Sequence, residues 1–384
     1  MDIDYAKVGL KAGIEIHQQL DTGKLFSRTP SYLRKDKPDY TVKRKLHAVA
    51  GETGEIDAAV QHEASLDKEF VYEGYDDTIS LVELDEAPPQ EIDGDALDVA
   101  LQVCLLLNCQ LYPVSQVMRK TVINGSNTSG FQRTVLLGHD GYVETSFGKV
   151  GIESVVLEED AARETGREGN TVVYRLDRLG IPLVEIATAP VLHMPEQIKE
   201  CALKLGEILR ACKVKRGLGT IRQDVNVSIT GHDRVEVKGF QDPAMMVKTV
   251  DTEIRRQQES LKKADLAGQD QSSGTSSSSF EGSVRRAKVD GTTEFLRPMP
   301  GRARMYPETD LELLKIGRER LDRLRKRLPL LRHEMRAVLE KKGLHEELIG
   351  LVLDSGVYGE FLTLAKVASG KADLVGKMVT LWRR

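Results

Sequence analysis

An α+β protein is what this sequence predicts: a largely antiparallel β-sheet with flanking helices, followed by an α-helical C-terminal domain. Three observations predict it. Short alternating strands recur through roughly the first 245 residues, a few helical apolar repeats interrupt them, and after a Ser/Gly-rich break the chain turns helical and charged.

The elements follow in order. In GIEIHQQL (13–20), alternation sends Ile14 and Ile16 to one face and Glu15 and His17 together to the other. ALDVALQVCLLLNCQL (96–111) has helical apolar spacing. GKVGIESVVLEEDAAR (148–163) places Ser154, Glu158 and Asp160 on one face, with Glu153 and Glu159 on the other beside Val155 and Leu157. In GIPLVEIATAP (180–190), Glu185 shares a face with Leu183 and Ala187, opposite Val184 and Ile186. EQIKECALKLGEILRACKVK (196–215) reads as a helix, with Pro195 where a first helical turn tolerates it. TIRQDVNVSI (220–229) sets Arg222, Asp224, Asn226 and Ser228 against Val225, Val227 and Ile229; in DRVEVKGFQ (233–241), Arg234, Glu236 and Lys238 alternate with Val235 and Val237. A further helix is expected over 244–264. LAGQDQSSGTSSSSFEGS (266–283) has no apolar period and reads as a flexible linker. Beyond it come the Pro/Arg-rich LRPMPGRARMYPETDL (296–311) and a helical remainder that opens with LKIGRERLDRLRKRLP. The expected organisation is a sheet-bearing domain over 1–264, a linker over 265–290, an irregular segment over 291–312 and a helical domain over 313–384.

Bulk composition narrows the class. With 40% hydrophobic and 30% charged residues the chain is an ordinary globular protein, and 384 residues suffice for two or three cores. A net charge of -4 means that any nucleic-acid-binding surface is local. One such region exists: residues 283–342 hold seventeen Lys/Arg against nine Asp/Glu. The four cysteines form no CxxC pair and sit in apolar helical runs, as reduced core residues do. MDIDYAKVGLKAG has no apolar signal region and no segment has the length of a membrane span, so a cytoplasmic location with no membrane partner is expected.

The polar strand faces carry the chemistry. Five strands of one sheet, each with one apolar face, gather carboxylates, one imidazole and several cations on a common surface. Packed carboxylates repel unless compensated. A divalent cation is the natural compensator, because hard oxygen ligands with an occasional imidazole suit magnesium or manganese completed by substrate phosphates. Arg178, Arg222 and Lys238 suit phosphate oxygens, while Asp224 and Asn226 suit a second ion or a ribose. The competing reading is a solvated face crossed by weak ion pairs. GHDGY, RGLGT and NGSNTSG match neither GxxxxGK[ST] nor a strand–GxGxxG–helix unit, which excludes a P-loop and a Rossmann turn.

Seven segments together carry a resemblance. GIEIHQQLDTGKLFS (13–27), INGSNTSGFQRT (123–134), VVLEEDAAR (155–163), YRLDRLGIPLVEIATAP (174–190), GLGTIRQDVNVSI (217–229), RVEVKGFQ (234–241) and LRPMPGRARMYPETDL (296–311) resemble the B/E subunits of tRNA-dependent amidotransferases. GSNTSGFQRT and RPMPGRARMYPETD resemble the archaeal E-type branch, the glutamyl-tRNA(Gln) amidotransferases. The resemblance implies a ligase that uses ATP and Mg2+ (or Mn2+) to phosphorylate the γ-carboxylate of Glu on mischarged Glu-tRNA(Gln). Ammonia from an asparaginase-like amidase partner, the D-type component of a heterodimer or heterotetramer, then gives Gln-tRNA(Gln). It implies catalytic roles for Glu15, His17, Glu158 and Glu185, and metal ligation by His17, Glu185 and the Glu158/Glu159 pair. Alternation favours Glu158 within that pair. ATP or phosphate contacts fall on Ser126, Asn127, Thr128, Gln132, Arg178, Arg222, Asp224, Asn226 and Lys238. Arg323, Arg325 and Lys326, in the basic helical run, fit tRNA backbone contact, the competing reading being a solvated amphipathic helix. The alternative function is a catalytically silent RNA-binding or assembly subunit that keeps the scaffold.

The sequence departs from the family in two places. The family's inserted domain, similar to one in bacterial aspartyl-tRNA synthetase, is replaced here by the Ser-rich stretch, and the family's further helices and tail domain extend beyond the counterpart of Arg384. The resemblance therefore covers the sheet-bearing domain and the irregular segment, which it implies form a catalytic cradle, and leaves tRNA discrimination outside it. Ser27 and Thr29 stand where some relatives carry cysteines, so no zinc site is expected there.

Overall fold

The computed structural model describes residues 3–46, 61, 64–240, 242–269, 282–299, 305–368 and 370–382. Residues 270–281 of the expected linker and 300–304 of the irregular segment lie outside them. Two compact units result, one of Met1–Leu209 with Lys213–Lys326, the other of Arg210–Cys212 with Arg327–Arg384.

The first unit is organised by an eleven-stranded, mostly antiparallel sheet. Its strand order is Thr293–Pro298, Ser283–Ala287, Val235–Phe240, Ile221–Ser228, Lys11–Gln19, Pro182–Thr188, Gly148–Glu159, Phe131–Thr145, Val117–Thr121, Met305–Pro307, with Gln110–Leu111 pairing beside Phe131–Thr145. The five strands expected to share a polar face are consecutive and antiparallel, as the alternation predicts. One pair departs from antiparallel order: Ser283–Ala287 runs parallel to Val235–Phe240.

One face of the central strands is apolar and dry. Ile14, Ile16, Val184, Ile186, Val225, Val227, Val235 and Val237 are all buried, and each such side chain contributes about 1.5–3 kcal/mol. The helix Pro243–Gln269 packs on the strands Ile221–Ser228, Val235–Phe240 and Thr293–Pro298, while Gly94–Leu106 packs on Phe131–Thr145 and Gly148–Glu159. A four-stranded sheet, Tyr40–Arg44, Glu69–Gly74, Thr171–Arg175 and Arg163–Glu168, has its own core of Phe70, Tyr72, Tyr75, Val172, Tyr174 and Leu176. The second unit holds the helices Arg332–Lys341, Glu346–Asp354, Tyr358–Val367 and Ala372–Thr380 around Leu339, Leu348, Ile349, Val352, Phe361 and Val375.

Several boundaries differ from the sequence reading. The helix expected over 96–111 ends at Leu106, because Asn108 turns left-handed (φ 55°) and Gln110–Leu111 joins the sheet. The helix expected to reach 215 ends at Ala211, and Val214 bridges to Leu20 instead. The helix expected over 244–264 runs on to Gln269, and a strand begins at Ser283, so both ends of the expected linker are regular structure. Leu314–Lys315 pairs with Val114–Ser115 rather than opening a helix, which starts at Arg318. All four cysteines are free. Among the described residues, no helix is long and apolar enough to cross a membrane.

Candidate metal and phosphate site

Strand register brings the polar side chains together. His17 stands directly opposite Glu185 on one neighbouring strand and Arg222 on the other. Glu158 stands opposite Leu183, two residues from Glu185 and on the same face. The outcome is a compact group: His17 Nε2 lies 3.1 Å from Glu185 Oε2 and 3.8 Å from Glu158 Oε1. Lys120, from the strand Val117–Thr121, donates to Glu158 Oε2 at 2.9 Å and comes within 3.9 Å of Glu185. One ligand atom from each of His17, Glu158 and Glu185 lies within 4.8 Å of the others. Burial alone lowers the imidazole pKa. The hydrogen bond and charge of Glu185, with Glu158 and Asp224, outweigh burial and raise it above its ordinary value. Burial conversely raises the Glu185 pKa, and the His17 contact overcomes it, leaving the carboxyl well below the usual range. The His17 imidazole and the Lys120 ammonium thus lie against two carboxylates held side by side, a group whose ligand atoms are close enough to hold a cation.

A second group lies beside the first. Glu15, Asp224 and Glu236 also bring ligand atoms within 4.8 Å of one another. Lys238 bridges Asp224, at 2.8 Å, and Glu236. Asn226 donates to Glu15 at 2.8 Å, and its Oδ1 is buried with no hydrogen-bond partner. Burial, then repulsion from Glu236 and Glu185, raises the Glu15 pKa. An orphaned oxygen among three carboxylates is the donor set of a hard cation. A cavity of about 390 Å³ reaches His17 and Glu158 of the first group and Asp224 of the second, and is lined also by Lys120, Ser126, Asn127, Gln132, Asp160, Arg222, Lys238 and Arg297. Asn127 Nδ2 is buried there without a partner. Such an atom costs free energy unless a ligand or water meets it.

The cavity's cations are aimed from behind. Asp160, 1% exposed, takes the Arg222 guanidinium at 2.9 Å, the Gln19 amide at 2.6 Å and the Ala161 N–H at 2.9 Å. Against the penalty of burial, Arg222 and Arg178 hold its pKa below the ordinary value.

A model described as the GatB/GatE catalytic domain matches residues 10–322, most of the chain. The chain belongs to that family. Among curated proteins, it is 56% identical over 264 residues to the E-type subunit of the glutamyl-tRNA(Gln) amidotransferase of Methanocaldococcus jannaschii, covering 68% of this chain and 42% of the relative. Proteins of the same description from Pyrococcus abyssi and Pyrobaculum neutrophilum are 53% and 48% identical, over 67% and 66% of this chain and 41% and 42% of their own lengths. The chain thus spans about 42% of the length of these relatives.

Not every residue expected in the GatB/GatE cradle site reaches it. Glu159 faces the other side of the sheet. There its Oε1 accepts from the Arg133 N–H at 3.0 Å, and Arg133 Nη1 lies at 3.5 Å. It does not join the His17 group, because adjacent strand residues point oppositely. Thr128 is buried away from the cavity lining and donates to the Glu83 carbonyl at 2.7 Å. Arg178 spends its guanidinium on the Ala161 and Ala162 carbonyls at 2.7 and 2.9 Å, and acts on the cavity only through Asp160. Ser126 and Gln132 line the cavity, but the first donates to Asn124 Oδ1 and the second to the Glu159 carbonyl. Asn226 belongs to the Glu15 group. Arg323 and Arg325 lie on the exposed side of the helix Arg318–Arg325, 4.0 Å from Asp98 and 3.0 Å from Asp322, with Lys326 capping it. The sequence reading did not take Lys120, Asp160, Glu236 or Arg297 as site residues. Alternation in VMRKT puts Lys120 on one face with Met118, a signal open to view, whereas nothing local in LRPMP marks Arg297.

Proposed function

We propose that this chain is the ATP-dependent kinase and transamidase part of a glutamyl-tRNA(Gln) amidotransferase, a ligase that works with an amidase partner in a multi-subunit enzyme. The supporting observation is the convergence of His17, Glu158 and Glu185 from three neighbouring strands under a cavity walled by Arg222, Lys238 and Lys120. His17, Glu158 and Glu185 would hold one Mg2+ or Mn2+, and Glu15, Asp224, Glu236 and Asn226 Oδ1 a second. A divalent cation bound there supplies neutralisation of phosphate charge.

The remaining chemistry falls to the chain's own side chains. Phosphorylating a carboxylate brings two anions together, so positioning and charge neutralisation carry most of the rate. Arg222 and Lys238 offer guanidinium and ammonium donors to phosphate oxygens, and Asn127 Nδ2 offers an unmatched donor at the same wall. No general base is needed to activate the substrate, since the γ-carboxylate is already ionised. Ammonia then displaces the phosphate from the acyl phosphate: the new C–N bond forms, the C–O bond to phosphate breaks, and the proton lost from nitrogen balances on the departing phosphate.

The test is phosphate release dependent on Glu-tRNA(Gln), using the full-length chain with its amidase partner. His17→Ala and Glu185→Ala are each expected to reduce it by about 100-fold or more. Undiminished release from both variants would overturn the assignment.

A further inference from the structure

Resting on that proposal, we infer that the loop 213–220 is an arm that grips the unpaired 3′ end of the aminoacyl-tRNA at the rim of the cavity. The loop joins the helix Pro195–Ala211 to the strand Ile221–Ser228. Its base is clamped from the floor of the site. Gln18, buried and next in sequence to His17, donates from Nε2 to the carbonyls of Lys215 and Thr220 at 3.0 and 3.1 Å. The Gln19 N–H meets the Thr220 carbonyl at 2.9 Å, and the Lys215 N–H meets the Gln19 carbonyl at 2.9 Å. The Lys215 ammonium adds a bond to the Ser31 carbonyl.

The tip is built differently. Gly217 (φ 113°) and Gly219 (φ 81°) occupy backbone conformations that favour glycine, and a Cβ on either would meet nothing within 4 Å. Between them Leu218 is 98% exposed. An anchored base with an apolar side chain held clear of the fold is a presenting geometry.

Charge selects the partner. From Lys213 to Arg222 the chain carries Lys213, Lys215, Arg216 and Arg222 and no acidic residue, with Asp21 the carboxylate beside Lys215, although the whole protein is net negative. A ligand that answers both features offers a line of phosphates and exposed apolar faces, which is an unpaired nucleic-acid end. An apolar side chain placed against a base is a recurrent contact of this kind. The location agrees. Two residues past the loop, Arg222 enters the cavity, and Gln19 at the loop's base bonds Asp160 in the cavity wall. The reacting carboxylate is only a few bonds from the terminal ribose, so the last nucleotides lie close to the cavity when it reaches the site, within range of this loop.

Leu218→Asp and Lys213→Glu alter exposed side chains, so folding is preserved; melting temperature is the control. In the full-length chain with its amidase partner, each variant is expected to raise KM for Glu-tRNA(Gln) about fivefold or more while KM for ATP moves less than about twofold. A fluorescent acceptor-stem microhelix ending in single-stranded CCA is expected to bind the wild-type chain more tightly than its blunt-ended counterpart, and Leu218→Asp to abolish that preference. Unchanged KM values, or no wild-type preference for the CCA end, would overturn the inference. So would partner dissociation with microhelix binding intact, since the loop would then be a protein contact. A wild-type enzyme that never releases phosphate would instead sink the proposed function, while the microhelix readout still decides the loop.

Discussion

Asp160→Asn isolates the device that aims Arg222. The carboxylate is 1% exposed and accepts from Arg222 Nη2 at 2.9 Å, Gln19 Nε2 at 2.6 Å and the Ala161 N–H at 2.9 Å, with Arg178 Nε at 3.8 Å. An asparagine keeps the volume but turns one acceptor into a donor, so either Gln19 or Arg222 faces an N–H and both guanidiniums lose their counter-charge. Removing one partner of a buried ion pair costs about 3–5 kcal/mol. Arg222 and Arg178 retain 35% and 25% side-chain exposure, so water recovers part of that. The lower end, about 3 kcal/mol, is therefore expected. The unit that holds Asp160 spans Met1–Leu209 and Lys213–Lys326, and at about 2.1 cal/mol/K of unfolding entropy per residue the loss lowers Tm by roughly 4–5 °C at pH 7. The pH dependence supplies a second signature. The Asp160 pKa is depressed in the fold, so its contribution is present above its unfolded value, about 3.9, and is lost as pH falls through the folded value. Calorimetry across pH should show wild type and variant converging in acid. A gap of under about 1 °C at pH 7, or one that persists on acidification, would refute the reasoning.

Three further outcomes are expected. Glu185→Gln removes the main partner that raises the His17 pKa and should lower it in an NMR titration of the metal-free chain; an unmoved value contradicts the pairing. Because the folded His17 pKa is raised, its stabilisation is present below about 6.5 and fades as pH rises through the folded value, and Glu185→Gln should erase that fade. Glu158→Gln should weaken Mn2+ binding, read by paramagnetic resonance, by about tenfold or more, whereas Glu159→Gln should change it less than about twofold; the reverse order would exchange their roles. Charge reversal at Arg323, Arg325 and Lys326 should weaken tRNA binding and flatten its log-affinity against log-salt slope by about 0.9 per lost phosphate contact, and an unaltered slope rejects that surface.

Much of this cradle is legible in the chain because period-two alternation fixes which side chains share a face. Glu15 with His17, Glu158 apart from Glu159, and Asp224 with Asn226 all follow from counting residues. What alternation cannot supply is the order of strands. Register places Glu185 opposite His17, and that is a property of long-range pairing over a separation of 168 residues. Thr128 and Arg178 show the opposite limit. They lie between strands rather than within them, where side-chain direction follows from turns that bond Thr128 to the Glu83 carbonyl and Arg178 to two backbone carbonyls. Alternation assigns Lys120 a face, but a lysine on an alternating strand reads as a solvent contact until its neighbours are known. Helix ends depart from expectation where local backbone chemistry overrides apolar spacing, as at Asn108.

The most direct measurement is anomalous scattering from crystals of the chain soaked with Mn2+ and a non-hydrolysable ATP analogue. The account predicts an ion ligated by His17, Glu158 and Glu185, with triphosphate oxygens facing Arg222 and Lys238. Manganese found elsewhere, with the His17–Glu185 contact left intact and the cavity free of nucleotide, would contradict it.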